Sequence, residues 1–571
     1  MRQSYGDQEP VKLPAKLPSS LWLWLLPAVF LLVFFFQPLA AIFGRVGNQT
    51  IVEGIRGFNI ARIGQTLGFT FYQALLSMLL TLVLGLPAAY VFARFDFPGK
   101  KLLRTLTTIP FILPTVVVAA SINTLIGPNG WLNMLLMRLF SLDTAPIQFI
   151  NSLGAILVAH VFYNLSVVIR LVGTAWAQLD NRLVQAARVL GASSRKAFLE
   201  ISLPLLAPVI LSASMLVFMF DFTSFGVVLL LGGPQNATLE VEIYSQAMYF
   251  LNLPMAGALS VIQLAVTFLI MLVYTRLGKK STSTRPQADT LRRPASKQAK
   301  AFVAVIVIAL VVAQVLPLVS LASRSFTRLE AARGERGEVQ TGLTLDYYRQ
   351  LFVNQRQSIF YVPPATAIRN SVYFGLITVL IATSLGTLAA FALNKPGKAN
   401  RWMDPVMMLP MGTSAVTLGL GFILVFNKPP IDLRTFPILL PIAHSLVAMP
   451  FVIRTMKPAI ASIPANIRQA AAVLGASPLR VWREVDLPLI SRAVAVSALF
   501  SFTISLGEFG ATSFLTRPEM PTIPVAIYRY LSQPGAANYG QAMAMATILM
   551  LVCALAVLLI EWLDSSALLR N

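Results

Sequence analysis

His160 and His444 are the only histidines in the chain, Cys553 is its one cysteine, and two acids, Asp221 and Glu508, lie within long apolar runs. These few side chains bound the chemistry. A single cysteine excludes an internal disulfide and supplies no thiol pair for redox work or zinc. Two imidazoles without a neighbouring cysteine or converging carboxylates do not complete a metal site, so both histidines read as hydrogen-bonded structural groups. No cluster supplies a nucleophile, and an enzyme is not indicated. The pattern G-x-x-x-x-G-K-[ST] that cradles a nucleotide is missing too. Gly278-Lys279 is followed by Lys280, and five positions before Gly278 stands Val273. The chain is expected to bind no cofactor, and any energy source must be another polypeptide.

An ionisable residue inside a spanning helix is costly and usually faces a bundle interior or a water-filled path. Asp221, in MLVFMFDFTSF, and Glu508, in ISLGEFG, therefore have two readings. In one they line a translocation route or its gate for a cationic solute, with Ser224 beside them. In the other, local hydroxyls such as Thr223, Ser224 or Thr503 cap them and they stiffen the helix.

The elements that must position these residues are membrane helices. With 56% hydrophobic and 12% charged residues over 571 positions, and a mean hydropathy of +0.72, the chain is too apolar for a soluble protein. The formal net charge of +22 does not point to nucleic acid, because Lys and Arg sit in short segments between apolar runs, where they set orientation. At about 20 apolar residues per span, twelve stretches qualify, near 21–43, 70–93, 105–126, 150–172, 205–232, 256–276, 301–322, 370–394, 404–426, 436–456, 489–515 and 541–562. The first is longer than a signal-peptide core and lacks a convincing cleavage site, so it reads as a retained helix after a polar tail, 1–20. A basic linker, 277–300, punctuated by Pro286 and Pro294, divides a first repeat, 21–276, from a second, 301–562, with a short tail, 563–571. Basic residues after the second, fourth, sixth and eighth helices share one face, which is cytoplasmic if the N-terminus is. The long, mixed-charge loop from Ser323 to Arg369 falls on the other face, where long loops escape the rule.

An internal repeat organises the chain. The histidines are 284 residues apart (444 − 160), and the same offset carries Val168-Ile169-Arg170 onto Val452-Ile453-Arg454, Gln185-Ala186-Ala187 onto Gln469-Ala470-Ala471, and 189–193 onto 473–477 without a gap. Leu203-Pro204 falls on Leu487-Pro488, Phe225-Gly226 on Phe509-Gly510, and Ile243-Tyr244 on Ile527-Tyr528. Upstream, Pro98-Gly99-Lys100 matches Pro396-Gly397-Lys398 at a different offset, 298 (396 − 98), so an insertion or deletion separates the blocks. Asp221 maps onto Ser505 and Glu508 onto Ser224. A shift of three residues is nearly one helical turn, so both acids can face one path. Even helix counts make the halves parallel, related by an axis along the membrane normal, with the solute path between them.

Between its fourth and fifth helices each repeat carries a loop, about 173–204 and about 457–488, with one pattern: Gln-Ala-Ala, three residues, Gly, then a hydrophobic residue and Leu-Pro. Gly191 and Gly475 can take the left-handed position that ends a helix, and Ser193 and Ser477 are good N-caps for the next. Pro478 follows at the first helical position, where its missing donor costs nothing. Each loop reads as helix, tight turn, helix, an elbow that can dock on a soluble partner and transmit motion as a rigid body.

Both loops resemble the E-A-A loop of importer permeases in the ATP-binding-cassette (ABC) superfamily, through Gln185, Ala186, Ala187, Gly191, Ile201 and Pro204 and through Gln469, Ala470, Ala471, Gly475, Val485 and Pro488. The resemblance covers nearly the whole chain as two fused copies of the pore-forming subunit. It implies an all-α integral membrane fold and coupling of both loops to a separate ATPase, a homodimer that uses ATP and Mg. It also implies an extracytoplasmic solute-binding protein and a bacterial plasma membrane. One departure is that glutamine replaces the opening glutamate in both copies, so a neutral hydrogen bond replaces a charged contact. Among fused permeases, the stretch 159–165, Ser224-Phe225, and the segment from Leu231 through Thr238 to Tyr244 look most like thiamine permeases. Ferric-iron permeases come next, and polyamine, sulfate and molybdate permeases share the architecture unfused. A secondary transporter driven by protons through Asp221 or Glu508 would explain the topology and repeat but not the paired loops.

Overall fold

A computed structural model describes residues 21–49, 60–278, 291–328, 342–353, 363–395, 398–426 and 437–568. The tail 1–20, the middle of the linker, and two stretches of the loop between Ser323 and Arg369 lie outside the described residues. Within a bilayer every backbone amide needs an internal partner, and helices satisfy that within one segment. The apolar runs accordingly fold as helices, among them Ile60–Arg94, Leu153–Ala177, Pro364–Leu393 and Leu439–Ala461. Among the described residues ten helices are long and apolar enough to span a membrane, or twelve if each of two bent pairs is one span. The protein is an all-α integral membrane protein in two halves, with one two-residue strand pair, Thr327–Arg328 against Gly342–Leu343, among the described residues. The last helix, Ala536–Leu568, runs into the stretch expected as a tail.

Four expected spans are interrupted. Near 105–126, Lys100–Ile112 meets Thr115–Phe140 at 112°, and near 404–426, Trp402–Gly412 meets Ala415–Val425 at 95°. In the first, Leu113 is extended (φ −66°, ψ 140°) ahead of Pro114, because a proline ring disfavours helical backbone in the residue before it. In the second, a 3₁₀ turn, Leu409–Gly412, precedes Ser414, whose hydroxyl accepts the Thr417 amide at 3.1 Å and starts a new helix. The stretches 205–232 and 489–515 also break. Leu203–Phe222 stops short of Gly226–Leu231, and Leu487–Gly507 stops short of Gly510–Leu515.

The halves interlock through their lead helices, an exchange that two successive six-helix blocks do not imply. Phe30, Leu31 and Phe35 of the first lead helix, Leu23–Gly44, are buried with Leu393, Met407, Phe422 and Met449 of the second half. Reciprocally, Leu310 of Lys297–Gln314 is buried with Ala88, Leu103 and Ile169 of the first. Packing inside a bilayer has no hydrophobic driving force, so polar bonds between helices carry part of the load, about 0.6–2 kcal/mol each. Gln314 Nε2 donates to the Phe162 carbonyl at 3.0 Å, and the Ser320 and Thr124 hydroxyls are 2.9 Å apart.

Candidate functional site

The two histidines sit at equivalent places, each between two polar positions of a broken helix. His160 places Nδ1 3.0 Å from Ser77 Oγ and 3.4 Å from Asp221 Oδ1, and Nε2 2.8 Å from Ser224 Oγ. His444 places Nδ1 2.7 Å from Ser505 Oγ, and Nε2 2.8 Å from Thr512 Oγ1 and 3.3 Å from Glu508 Oε2. Position 221 and its equivalent 505 therefore face Nδ1, while 224 and 508 face Nε2. At this pair of seats each histidine meets one acid and one serine, with the acid on opposite nitrogens in the two halves, and Ser77 or Thr512 adds a second hydroxyl.

The hydroxyls suggested as caps point elsewhere. Thr223 donates to the Met219 carbonyl, and Thr503 to those of Leu499 and Phe500. Asp221 instead accepts Asn164 Nδ2 at 2.6 Å, and its backbone carbonyl accepts Gln73 Nε2 at 2.9 Å. Glu508 starts the short helix Gly510–Leu515, accepting the Ala511 and Thr512 amides at 2.9 Å each and the Thr512 hydroxyl at 2.6 Å. A carboxylate at a helix N-terminus satisfies donors the helix itself cannot.

Asp221, Ser224 and Glu508 line one cavity of about 310 Å³, built from both halves, together with both His160 and a third acid, Glu240. Phe225 stacks on its repeat equivalent Phe509 with centroids 5.3 Å apart, so the pseudo-two-fold axis passes between the two rings. Tyr244 lies edge-on to Phe225 at 5.2 Å, and its equivalent Tyr528 is tilted against Phe509 at 5.5 Å. Sequence reasoning missed Glu240. It stands in Leu239–Met248, between apolar runs, and its repeat equivalent is Pro524. Its carboxylate accepts Gln263 of its own half and, at 2.6 Å, the Ser414 hydroxyl of the other, joining the halves across the cavity.

At the far ends of Leu153–Ala177 and Leu439–Ala461 the two elbows repeat in detail. Asn181–Val189 ends at Gly191 (φ +87°) and Ala465–Val473 at Gly475 (φ +83°), a left-handed backbone that an L side chain would strain. The Ala192 and Ala476 amides reach back to the Ala187 and Ala471 carbonyls at 2.9 and 3.0 Å, and the Leu190 and Leu474 amides to those of Ala186 and Ala470, both at 3.0 Å. Ser193 and Ser477 cap the following helices through the Lys196 and Arg480 amides at 3.2 and 3.3 Å. Gln185 and Gln469 are exposed, as are Pro204 and Pro488, while Ile201 and Val485 are half-buried in matching π-helical turns, Phe198–Ser202 and Trp482–Asp486. Each tip presents two exposed aliphatic residues, Val189 and Leu190 in one and Val473 and Leu474 in the other. Their anchoring differs. Arg468 Nε pairs with buried Asp486 at 2.6 Å, where the first elbow has Val184 and Ser202.

Two interlocked membrane halves, a shared polar cavity on their axis and paired elbows outside it define a two-fold transport subunit. The chain belongs to the family of binding-protein-dependent transport system inner membrane components, which matches residues 81–283 and 382–568, one copy in each half. Over 492 residues it is 28% identical to the thiamine transport system permease protein ThiP of Brucella abortus (strain 2308), covering 85% of each chain. It is 26% identical over 499 residues to ThiP of Escherichia coli (strain K12), covering 86% of this chain and 88% of that one. A probable ABC transporter permease protein, y4fN of Sinorhizobium fredii (strain NBRC 101917 / NGR234), is 26% identical over 520 residues, 87% of each chain. The protein is thus a fused, multi-pass ABC importer permease similar to thiamine permeases.

Proposed function

We propose that this chain forms the membrane path of a thiamine importer, with a separate ATPase homodimer docked on the two elbows and a solute-binding protein on the opposite face. The cavity carries the substrate reading. Thiamine is a cation with two aromatic rings, and the cavity combines Asp221, Glu240 and Glu508 with the Phe225–Phe509 pair. Ring faces and carboxylates together attract an aromatic cation, and a desolvated cation–π contact adds about 2 kcal/mol. Ferric iron would use the carboxylates and leave the rings without a role, and a polyamine, though drawn to ring faces, would bring no ring of its own to stack on them. The thiamine permeases among the relatives support the same choice.

Arg182, Arg188, Arg195 and Lys196 on the first elbow favour a cytoplasmic placement of that face, with the N-terminus on the same side. ATP, with Mg, closes the ATPase dimer. The exposed tips move together, with Gln185 and Gln469 offering neutral hydrogen bonds to the partner. The halves then rock about the axis marked by Phe225 and Phe509, opening the cavity to each side in turn. The permease makes and breaks no covalent bond. Reconstituting the chain in proteoliposomes with its ATPase and binding protein tests this. Labelled thiamine should accumulate with ATP, and Asp221→Asn with Glu508→Gln should lower uptake while the ATPase stays bound. Accumulation of ferric iron or a polyamine instead would correct the substrate. Uptake that survives ATP depletion and collapses with an uncoupler would replace the mechanism by proton coupling.

A further inference from the structure

We propose that a groove between the two halves binds one anionic phospholipid. The groove, about 920 Å³, runs between the first lead helix and Leu253–Gly278, and Phe36, Phe43, Phe268 and Leu272 leave it an exposed apolar wall. One end is charged. Arg454 and Lys457 stand one turn apart on Leu439–Ala461 and line the groove with Asp404. Lys457 Nζ bonds Asp404 Oδ2 at 2.7 Å, whereas exposed Arg454 has no carboxylate partner among the described residues. Two cations against one carboxylate leave one net positive charge at the mouth of an apolar trench. Trp402, 79% exposed and two residues before Asp404, sets that end at headgroup depth, where indoles concentrate.

An inorganic anion would pair Arg454 but leave the trench empty, and a zwitterionic lipid would fill the trench but bring no net charge to Arg454. An anionic phospholipid satisfies both. Among the described residues the repeat-equivalent place lacks the carboxylate and the ammonium group. There Leu106 and Gly173 stand at the positions matching Asp404 and Lys457 at the two repeat offsets, and Ala536–Leu568 packs directly on Lys100–Ile112, with Thr105 hydrogen-bonded to Glu561.

The test uses the full chain reconstituted in vesicles of phosphatidylcholine and phosphatidylglycerol in equal parts, then extracted in mild detergent, with retained lipid counted by mass spectrometry. Phosphatidylglycerol should be retained over phosphatidylcholine. Arg454→Gln should lower its retention about fivefold, and Asp404→Asn, which removes the opposing charge, should raise it about fivefold. Arg170→Gln, at the repeat-equivalent position, should change nothing. Ala265→Trp, placed in the groove wall, should displace the lipid irrespective of charge. Equal retention of the two lipids, or retention unmoved by Arg454→Gln and Asp404→Asn, overturns the charged end of the site. Retention unmoved by Ala265→Trp overturns the groove.

Discussion

The two halves keep one backbone plan and distribute its polar groups differently. In the first, the acid faces Nδ1 of the central histidine and a serine faces Nε2; in the second, Ser505 faces Nδ1 and Glu508 faces Nε2. A buried imidazole must be met at both nitrogens. Hydroxyls do this in each half, Ser77 and Ser224 for His160 and Ser505 and Thr512 for His444. The acid adds a second partner on one nitrogen, so each half is free in which seat holds it. The elbows divide along the same line. Their turn is identical at Gly191 and Gly475, because backbone geometry tolerates few alternatives. Their anchoring is free to change, from Val184 and Ser202 to the ion pair of Arg468 with Asp486. Fusion permits this, since each half can drift alone once both lie in one chain.

The largest expected effect lies where the halves are most alike. If both elbow tips dock on the ATPase, Leu190→Asp or Leu474→Asp alone forces an unpaired charge into a contact, at a cost of roughly 3 kcal/mol or more. Each should lower ATP-driven uptake by more than tenfold and weaken copurification of the ATPase. A tip that tolerates the change would mean that only the other elbow couples.

Next comes the feature that separates the elbows. Arg468→Ala leaves Asp486 buried without its ion-pair partner. Arg468 is itself about a third exposed, so water screens the pair and the cost falls to about 1–3 kcal/mol. Amide exchange in 465–486 should accelerate about tenfold while 181–202 is unchanged. Installing the pair in the first elbow, Val184→Arg with Ser202→Asp, should slow exchange there. Equal behaviour of both elbows in both variants would show that the turn alone sets their rigidity.

The elbows were readable in advance because their chemistry is local: a glycine, a serine two residues on, and small alanines whose carbonyls close the turn. The repeat was readable because its copies align without a gap from His160 to Tyr244. Longer-range features were not. A hydropathy window counts apolar residues and passes over the two or three positions, 223–225 and 508–509, where a helix stops and the polar seats form. The exchange of lead helices depends on what Phe35 and Leu310 meet far along the chain, which no neighbouring residue encodes. Glu240 escaped because Leu239–Met248 carries two acids and resembles a polar loop, although it folds back to line the cavity.

The smallest effect tests whether the seats are interchangeable. Glu508→Ser removes the acid from the second half but keeps a residue that can cap Gly510–Leu515, so the helix start loses only a few tenths of a kcal/mol. Adding Ser505→Asp restores an acid beside His444, now at Nδ1, reproducing the arrangement around His160. Groups in one network couple by about 0.5–3 kcal/mol, and a coupling near 1 kcal/mol makes the double variant about fivefold more active in uptake than the single. Recovery would mean that the histidine requires an acid and not a particular seat, so the halves diverged neutrally. Without recovery, Glu508 acts through its place in the cavity opposite Glu240, and the asymmetry belongs to the path itself.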